Sequence, residues 1–315
     1  MKCSKCNREA VTYIRYAGIN LCREHFLSFI DRKVKREIRE QVHFKKDDRI
    51  LIAVSGGKDS MLTLYLMSKI FGNWEELEIM AVTVDEGIGD FRKNCAKIAH
   101  EFSSSLNIEH RVITFKDYIG ITTDEVVRAD KELKPCTYCG VFRRKVLNQY
   151  AKEIRANYLV LGLNLDDIAQ SIIMNITRGD VARLARLAPH KKIKKGFVPR
   201  IIPLRRVLEE EVRLYVKLAN IPYYQGRCPY APLAIRDEYR EFLNNLEKRD
   251  PAVKFSILKF FDEIKPFVEE KYAKELRPCK ICGEPTTGEI CKACQLKMRF
   301  EKLSKGDQRH SAPQG

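Results

Sequence analysis

The chain has 315 residues, 44% hydrophobic and 32% charged, which is enough apolar content to bury a large core. Lys plus Arg (58) exceed Asp plus Glu (42), and the net charge of +16 suits a polyanionic partner; the charge density also matches the ion-paired surfaces of heat-adapted, thermophile proteins. No uninterrupted apolar run approaches the ~20 residues of a membrane span, and the N-terminal MKCSKCNREA has no apolar signal core, so a cytoplasmic protein is expected.

Eleven cysteines in a long chain without a secretion signal point to metal rather than to a disulfide scaffold. Cys3-x2-Cys6, fifteen residues, then Cys22-x2-His25 make a four-ligand set. Two close pairs separated by a loop can close around one tetrahedral ion, whereas a redox Cys-x-x-Cys would need no second matched pair. The YIRY stretch at 13–16 reads as a small hairpin between the knuckles, which makes 1–30 an N-terminal zinc finger. From 26 to 42 the sequence is basic, with Phe26, Phe29, Ile30, Val34 and Ile38 on one helical stripe. It reads as a connecting helix with a solvated charged face, the linker covering 31–46.

The organising stretch is 49–66, RILIAVSGGKDSMLTLYL. An apolar run from Ile50 to Val54 enters Ser55-Gly56-Gly57-Lys58-Asp59-Ser60, and Met61, Leu62, Leu64, Tyr65 and Met67 follow at helical spacing. Strand, glycine turn and helix start point free N–H groups and a helix's positive end at a bound anion. The glycines admit a phosphate close to the backbone, Lys58 adds a mobile cation, and Ser55 and Ser60 add hydroxyl donors. A plain strand-to-helix turn needs only Gly-Gly, and the Walker pattern is excluded because no glycine stands five residues ahead of Gly57-Lys58. SGGKDS after a buried strand resembles the PP-loop of the N-type ATP pyrophosphatases. Members of that superfamily transfer AMP to a substrate oxygen and release pyrophosphate.

Between 47 and 220 short apolar runs alternate with helical ones: strands at 49–54, 78–84, 109–115, 158–163 and 200–202, helices at 59–71, 91–106, 138–155, 165–177 and 208–218. The alternation predicts an α/β domain with a parallel sheet covered by helices on both faces. Ligands in such folds sit at the carboxyl ends of the strands, which brings SGGKDS, Val84-Asp85-Glu86-Gly87 and Gly162-Leu163-Asn164 onto one rim. Asp166 and Asp167 open the next helix, either as partners of its dipole or as a carboxylate pair facing ATP and Mg²⁺. Gln170, Asn175 and Arg178-Gly179-Asp180 continue a polar face toward the same cleft.

Pro135-Cys136-Thr137-Tyr138-Cys139-Gly140 precedes a basic helix carrying Arg143, Arg144 and Lys145, and Cys228 in GRCPY is the other central cysteine of similar context. Cys95 reads as a buried thiol. Three thiolates suit an iron–sulfur cluster with one open iron, a zinc with a fourth ligand still to be named, or a catalytic pair passing sulfur as persulfide. The run 186–200, RLAPHKKIKKGFVPR, is a solvated loop or an RNA-phosphate contact. Residues 221–275 read as a helical extension interrupted at Asp250-Pro251, with Pro251 as first helical residue after an Asp250 cap. Cys279-x2-Cys282, eight residues, and Cys291-x2-Cys294 form a second zinc finger at 276–303, and 304–315 reads as a loose polar tail.

Taken together, SGGKDS, the central Cys-x-x-Cys with a distant third cysteine and the two flanking knuckles resemble the tRNA thiolation family that contains TtcA, TtuA and the eukaryotic cytosolic wobble-uridine thiolases. The likeness covers about 1–303 and is strongest to the TtuA type. It implies an adenine nucleotide alpha hydrolase-like PP-loop fold with terminal zinc fingers, and a tRNA-uridine 2-sulfurtransferase that adenylates the C2 oxygen and replaces it with sulfur. TtuA relatives act on the T-loop uridine at tRNA position 54, giving 5-methyl-2-thiouridine, with sulfur from a ubiquitin-like carrier ending in a thiocarboxylate. Residue by residue, the resemblance assigns Cys136, Cys139 and Cys228 to a 4Fe-4S cluster with one iron open to hydrosulfide. It assigns Ser55, Gly56, Gly57, Lys58, Asp59 and Ser60 to ATP phosphates, the Ala53 and Val84 backbone to adenine, and Gly162 to the nucleotide side. Asp59, Arg143 and Asp167 take catalytic roles, Arg143 at a phosphate, and a homodimer with two Zn²⁺ and ATP–Mg²⁺ is implied. Leu163 stands where relatives often carry His in a GHNLDD string, a departure that weakens any role for an imidazole there and leaves the loop and the cysteines untouched. The rival readings are wobble-uridine thiolation, a cluster-free persulfide relay, a zinc-finger RNA-binding protein with a decayed loop, and a pyrophosphatase acting on another substrate. An intact SGGKDS speaks against the decayed loop, and the absence of an amidotransferase module against amide formation.

Overall fold

Each apolar run of the central region becomes a strand of one sheet in the computed structural model, which describes residues 1–189, 196–231, 236–272 and 276–310. A hairpin of β1 (Thr12–Ile14) and β2 (Ile19–Leu21) leads into α1 (Arg23–Gln41). Then come β3 (Arg49–Ala53), α2 (Lys58–Phe71), β4 (Glu78–Asp85), α3 (Gly89–Ser105) and β5 (Glu109–Thr114). The chain continues through α4 (Phe115–Ile119), α5 (Thr123–Ala129), α6 (Pro135–Glu153), β6 (Tyr158–Leu161), α7 (Leu165–Thr177), α8 (Val181–Leu184), β7 (Arg200–Ile201) and α9 (Glu209–Leu218). Helices α10 (Arg236–Arg249) and α11 (Val253–Lys271), the hairpin β8 (Arg277–Pro278) and β9 (Pro285–Thr286), and α12 (Lys292–His310) follow.

The central sheet is parallel throughout, in the order β5-β4-β3-β6-β7. Its winding reverses between β3 and β6, and a crevice opens at the carboxyl ends of the strands at such a reversal. Side chains alternate between the faces. Ile50, Ile52, Val160 and Ile201 pack against α1, α2 and α9, while Leu51, Met80, Val82 and Leu159 pack beneath α5, α6 and α12. Burial on both faces explains why these strands read as near-continuous apolar runs.

The cysteine-rich ends cover opposite faces of the sheet. Cys3, Ile14, Leu21 and Cys22 join the core on the α2 side, and Arg23 donates to the Leu218 carbonyl at 2.9 Å. Cys279, Cys291, Cys294 and Leu296 join the core on the α6 side, where Asn148 and Lys152 hold Glu284 at 3.1 and 3.0 Å.

The structure corrects several expectations. Helix α1 follows the expected 26–42 stripe, with Phe26, Ile30, Val34 and Ile38 buried, but starts a little earlier, so that His25 lies in its first turn. Asp250 accepts from the Ala252 N–H at 2.9 Å in a turn, and α11 starts only at Val253, so Pro251 is not its first residue. Helix α12 carries the chain to His310, through most of the expected tail. Within the basic run, 190–195 lie outside the described residues, as do 311–315 of the tail.

Lys254 is 2% exposed, with its ammonium between Asp166 Oδ1 at 2.5 Å and Glu247 Oε2 at 2.7 Å. Removing the cation that bridges these two partly desolvated carboxylates leaves them uncompensated among the described residues. Lys254→Ala is expected to lower unfolding free energy by about 3–5 kcal/mol in denaturant titration. Lys259→Ala on the exposed face of the same helix should cost under about 0.5 kcal/mol.

Candidate active site

At the end of β3 the chain turns through Ser55, Gly56 and Gly57 into α2. Gly56 has φ +78°, and a Cβ there would lie 2.6 Å from the Cys95 carbonyl oxygen, so only glycine fits. Cys95, buried as expected, thus serves the loop through its backbone. Ser60 Oγ accepts from the Ser55 N–H at 3.0 Å and donates to the Gly57 carbonyl at 2.9 Å, which sets the loop's shape without a ligand. Gly162, just past β6, faces the same turn: a Cβ on it would stand 2.6 Å from Ser60 Cα.

One wall of the crevice is acidic. Lys58 Nζ lies between Asp59 Oδ2 at 2.8 Å and Glu209 Oε1 at 2.9 Å, and Asn164 donates to Asp59 Oδ1 at 2.7 Å. The same Asn164 caps α7, accepting from the Asp167 N–H at 3.0 Å. Burial pushes the Asp167 carboxyl up to about 6, opposed by Arg236 and reinforced by the charge of Asp59. For Glu209 burial acts upward, but Lys58 outweighs it and holds the carboxyl at about 2. The carboxylate oxygens of Asp59 and Asp167 are of the kind a magnesium ion takes. Asp166 does not join them; it turns into the core onto Lys254 and accepts from the Glu209 N–H at 2.7 Å. Asn175 likewise bonds back to the Ser171 carbonyl of its own helix.

The other wall carries thiols. Glu86, 0% exposed at the end of β4, is ion-paired with both Arg92 and Arg143. Arg92 Nη1 donates to the Ser55 carbonyl at 3.1 Å, and Arg143 Nη2 donates to Cys139 Sγ at 3.0 Å. A continuous chain of charge-assisted contacts therefore joins the glycine loop to the cysteine helix. Arg143, expected at a phosphate, is held by Glu86 and donates to Cys139. Cys136 and Cys139 occupy the first turns of α6, which starts with Pro135 at its N-terminus. Cys228 arrives from far along the chain on a segment pinned by the Tyr224 N–H to the Gly56 carbonyl at 2.8 Å and by the Tyr230 hydroxyl to Asp124 at 2.7 Å. Burial raises the Cys136 and Cys139 thiols, and nearby Cys228 raises Cys136 further.

The metal-ligand sets differ in spread. In each finger all four ligand atoms lie within 4.8 Å of one another. Cys6 to Cys22 is 3.8 Å, Cys282 to Cys291 is 3.6 Å, and His25 Nδ1 is 3.4 Å from both Cys3 and Cys22. Sulfur ligands at ~2.3 Å from one tetrahedral zinc stand ~3.8 Å apart, so both sets fit a single ion. Cys136, Cys139 and Cys228 are not gathered within that 4.8 Å limit.

The PP-loop domain family model matches residues 30–246, and that of the N-terminal LIM domain of the 2-thiouridine synthetase TtuA matches residues 2–27. The chain belongs to the TtuA/NcsA family of PP-loop proteins. A tRNA 2-thiolation protein NcsA of Haloferax volcanii is 35% identical, across 94% of this chain and 98% of its own. A tRNA-5-methyluridine(54) 2-sulfurtransferase of Pyrococcus horikoshii is 34% identical, across 94% and 93%. The U34-tRNA thiolase NcsA of Methanococcus maripaludis, solved with its 4Fe-4S cluster, superposes with a TM-score of 0.82 at 35% identity, covering 95% and 96%. No helix among the described residues is long and apolar enough to cross a membrane.

Within this TtuA/NcsA-type site the sequence places Glu86 and Asn164 on the rim without a role, and gives none to Arg92 or Glu209. The acid in the strand-end motif and the Glu209-Glu210-Glu211 run opening α9 were the available signals. Because the Asp167 value lies above the ordinary carboxyl range, its ionised form is lost as pH falls through about 6. Mg–ATP affinity of the free protein, followed by calorimetry, should drop across that window, and Asp167→Asn should remove the inflection. Gly162→Ala should cost about 1–3 kcal/mol of stability in thermal unfolding and weaken nucleotide binding, since β6 and α2 must separate.

Proposed function

We propose that this protein is an ATP-dependent tRNA-uridine 2-sulfurtransferase that adenylates the C2 oxygen of a uridine and replaces it with sulfur. One observation carries the reading: buried Glu86 ties Arg92, on the Ser55 carbonyl, to Arg143, on Cys139. Activation and sulfur delivery then meet at one carbon, without release of an activated base.

The N–H groups opening α2, with Lys58, receive the phosphates. Asp59 and Asp167 offer oxygens to Mg²⁺, and Arg143, held by Glu86 beside Cys139, is assigned to offset the charge that builds as the uridine oxygen attacks the α-phosphate. Pyrophosphate leaves in that step; in the next, the C2–O bond breaks as the C2–S bond forms and the oxygen departs with AMP. Cys136, Cys139 and Cys228 would hold a 4Fe-4S cluster, which when bound supplies a soft open iron for sulfide. Burial keeps the Cys136 and Cys139 thiols protonated when free, so loading the site releases protons. The two terminal ligand sets would hold Zn²⁺.

The TtuA-type N-terminal finger and the P. horikoshii relative, named for uridine 54, support a T-loop target. The M. maripaludis likeness, a U34-tRNA thiolase, supports the wobble position as a second reading. A ubiquitin-like thiocarboxylate carrier as sulfur donor, a homodimer and a cytoplasmic location complete the proposal.

The test is nucleoside mass spectrometry on tRNA incubated anaerobically with the metal-loaded protein, ATP and sulfide. A 2-thiouridine product is expected, and nuclease mapping separates position 54 from 34. Cys136→Ser, Cys139→Ser and Cys228→Ser should each lower product at least ~100-fold while Mg–ATP affinity stays within about twofold. An iron-free, colourless protein that thiolates at the normal rate would replace the cluster with a persulfide relay.

A further inference from the structure

The proposed chemistry employs Arg143 and leaves the next arginine without a task. Arg144 lies on the α6 row Cys136, Gly140, Arg144, spaced four residues apart and so on one stripe, about 12 Å along the axis from the first thiol. The Arg144 guanidinium lies back along that row, 3.6 Å from where a Cβ on Gly140 would stand. Arg200 opens β7 and pairs in register with Leu159, whose side chain belongs to the face of the sheet covered by α6. Arg144 is exposed and Arg200 half-buried.

Although its side chain keeps solvent contact, partial desolvation and then repulsion from Arg200, Arg143 and Arg183 lower the Arg144 guanidinium. Two of these neighbours are neutralised, Arg143 by Glu86 and Arg183 by Asp180 at 3.3 Å. Arg144 and Arg200 have no carboxylate or hydrogen-bond partner among the described residues. Crowded guanidinium groups without counter-charge are relieved by an incoming anion, and the planar fork matches phosphate oxygens in pairs.

We infer that Arg144 and Arg200 form a phosphodiester-binding site for the substrate RNA, gripping the backbone beside the nucleotide whose base reaches the thiols. The inference rests on the RNA reading above and adds where the strand is held. Strand β7 is two strand spacings from β3, about 10 Å from the phosphate loop, so nucleotide phosphates seated on α2 do not need this pair.

Binding of a fluorescent tRNA transcript and of Mg–ATP, measured side by side on the full chain, tests it. Arg144→Ala and Arg200→Ala should each weaken tRNA binding about tenfold near physiological salt and lower the slope of log affinity against log salt by about one. Mg–ATP affinity and the visible spectrum of the metal-loaded protein should not change, and Arg144→Lys, which keeps the charge but loses the fork, should fall between. Unchanged tRNA affinity and slope in both alanine variants would overturn the assignment while leaving the thiolase reading intact. Loss confined to Mg–ATP would overturn it too, by giving the pair to the nucleotide. Absence of tRNA binding by the unmodified protein would defeat both.

Discussion

A carboxylate with no solvent exposure is tolerated only where cations and hydrogen bonds replace its water, and Glu86 meets that demand with two arginines. Satisfying that one charge forces α3, which carries Arg92, and α6, which carries Arg143, to converge on the end of β4. Backbone contacts extend the constraint. The Glu86 carbonyl accepts from the Thr123 N–H at 2.8 Å, seating α5, and Asp124 of that helix holds Tyr230 of the Cys228 segment. The glycine loop, the cysteine helix and the third cysteine are thus gathered around a single turn.

The fingers act on the same arrangement from outside. In the second, Arg299 grips Asp130 at 2.6 Å and holds its carboxyl well below the usual carboxylate range. Asp130 also accepts from the Tyr138 hydroxyl at 2.7 Å, and Tyr138 stands between Cys136 and Cys139. Folding of the C-terminal finger therefore orients the start of α6. In the first, Tyr16 and Lys33 fix Glu211 of α9, two residues from the Glu209 that meets Lys58. Each cysteine-rich finger thus braces one wall of the crevice from outside.

Neighbouring residues divide their work by direction. On α7 successive positions turn about a third of a circle, so Asp166 enters the core while Asp167 faces the crevice. On α6 Arg143 turns to Glu86, whereas Arg144 meets no carboxylate among the described residues. Like chemistry in adjacent positions thus carries unlike roles, and only packing assigns them.

The sequence alone determined whatever depends on short range. Short apolar runs marked every strand of the sheet, ligand spacing marked both fingers, and SGGKDS between a strand and a helix marked the nucleotide loop. Short helices such as α4 and α5 escaped because a turn or two carries no measurable period. Tertiary structure decided which acids answer which bases: Glu86 for Arg92 and Arg143, Glu209 for Lys58, Asp130 for Arg299. Those choices follow from strand order and from which helix lands on which face, so residues far apart in the chain select one another among chemically equal candidates. Spacing along a chain records local geometry, whereas a buried charge finds its partner only after the sheet has been assembled.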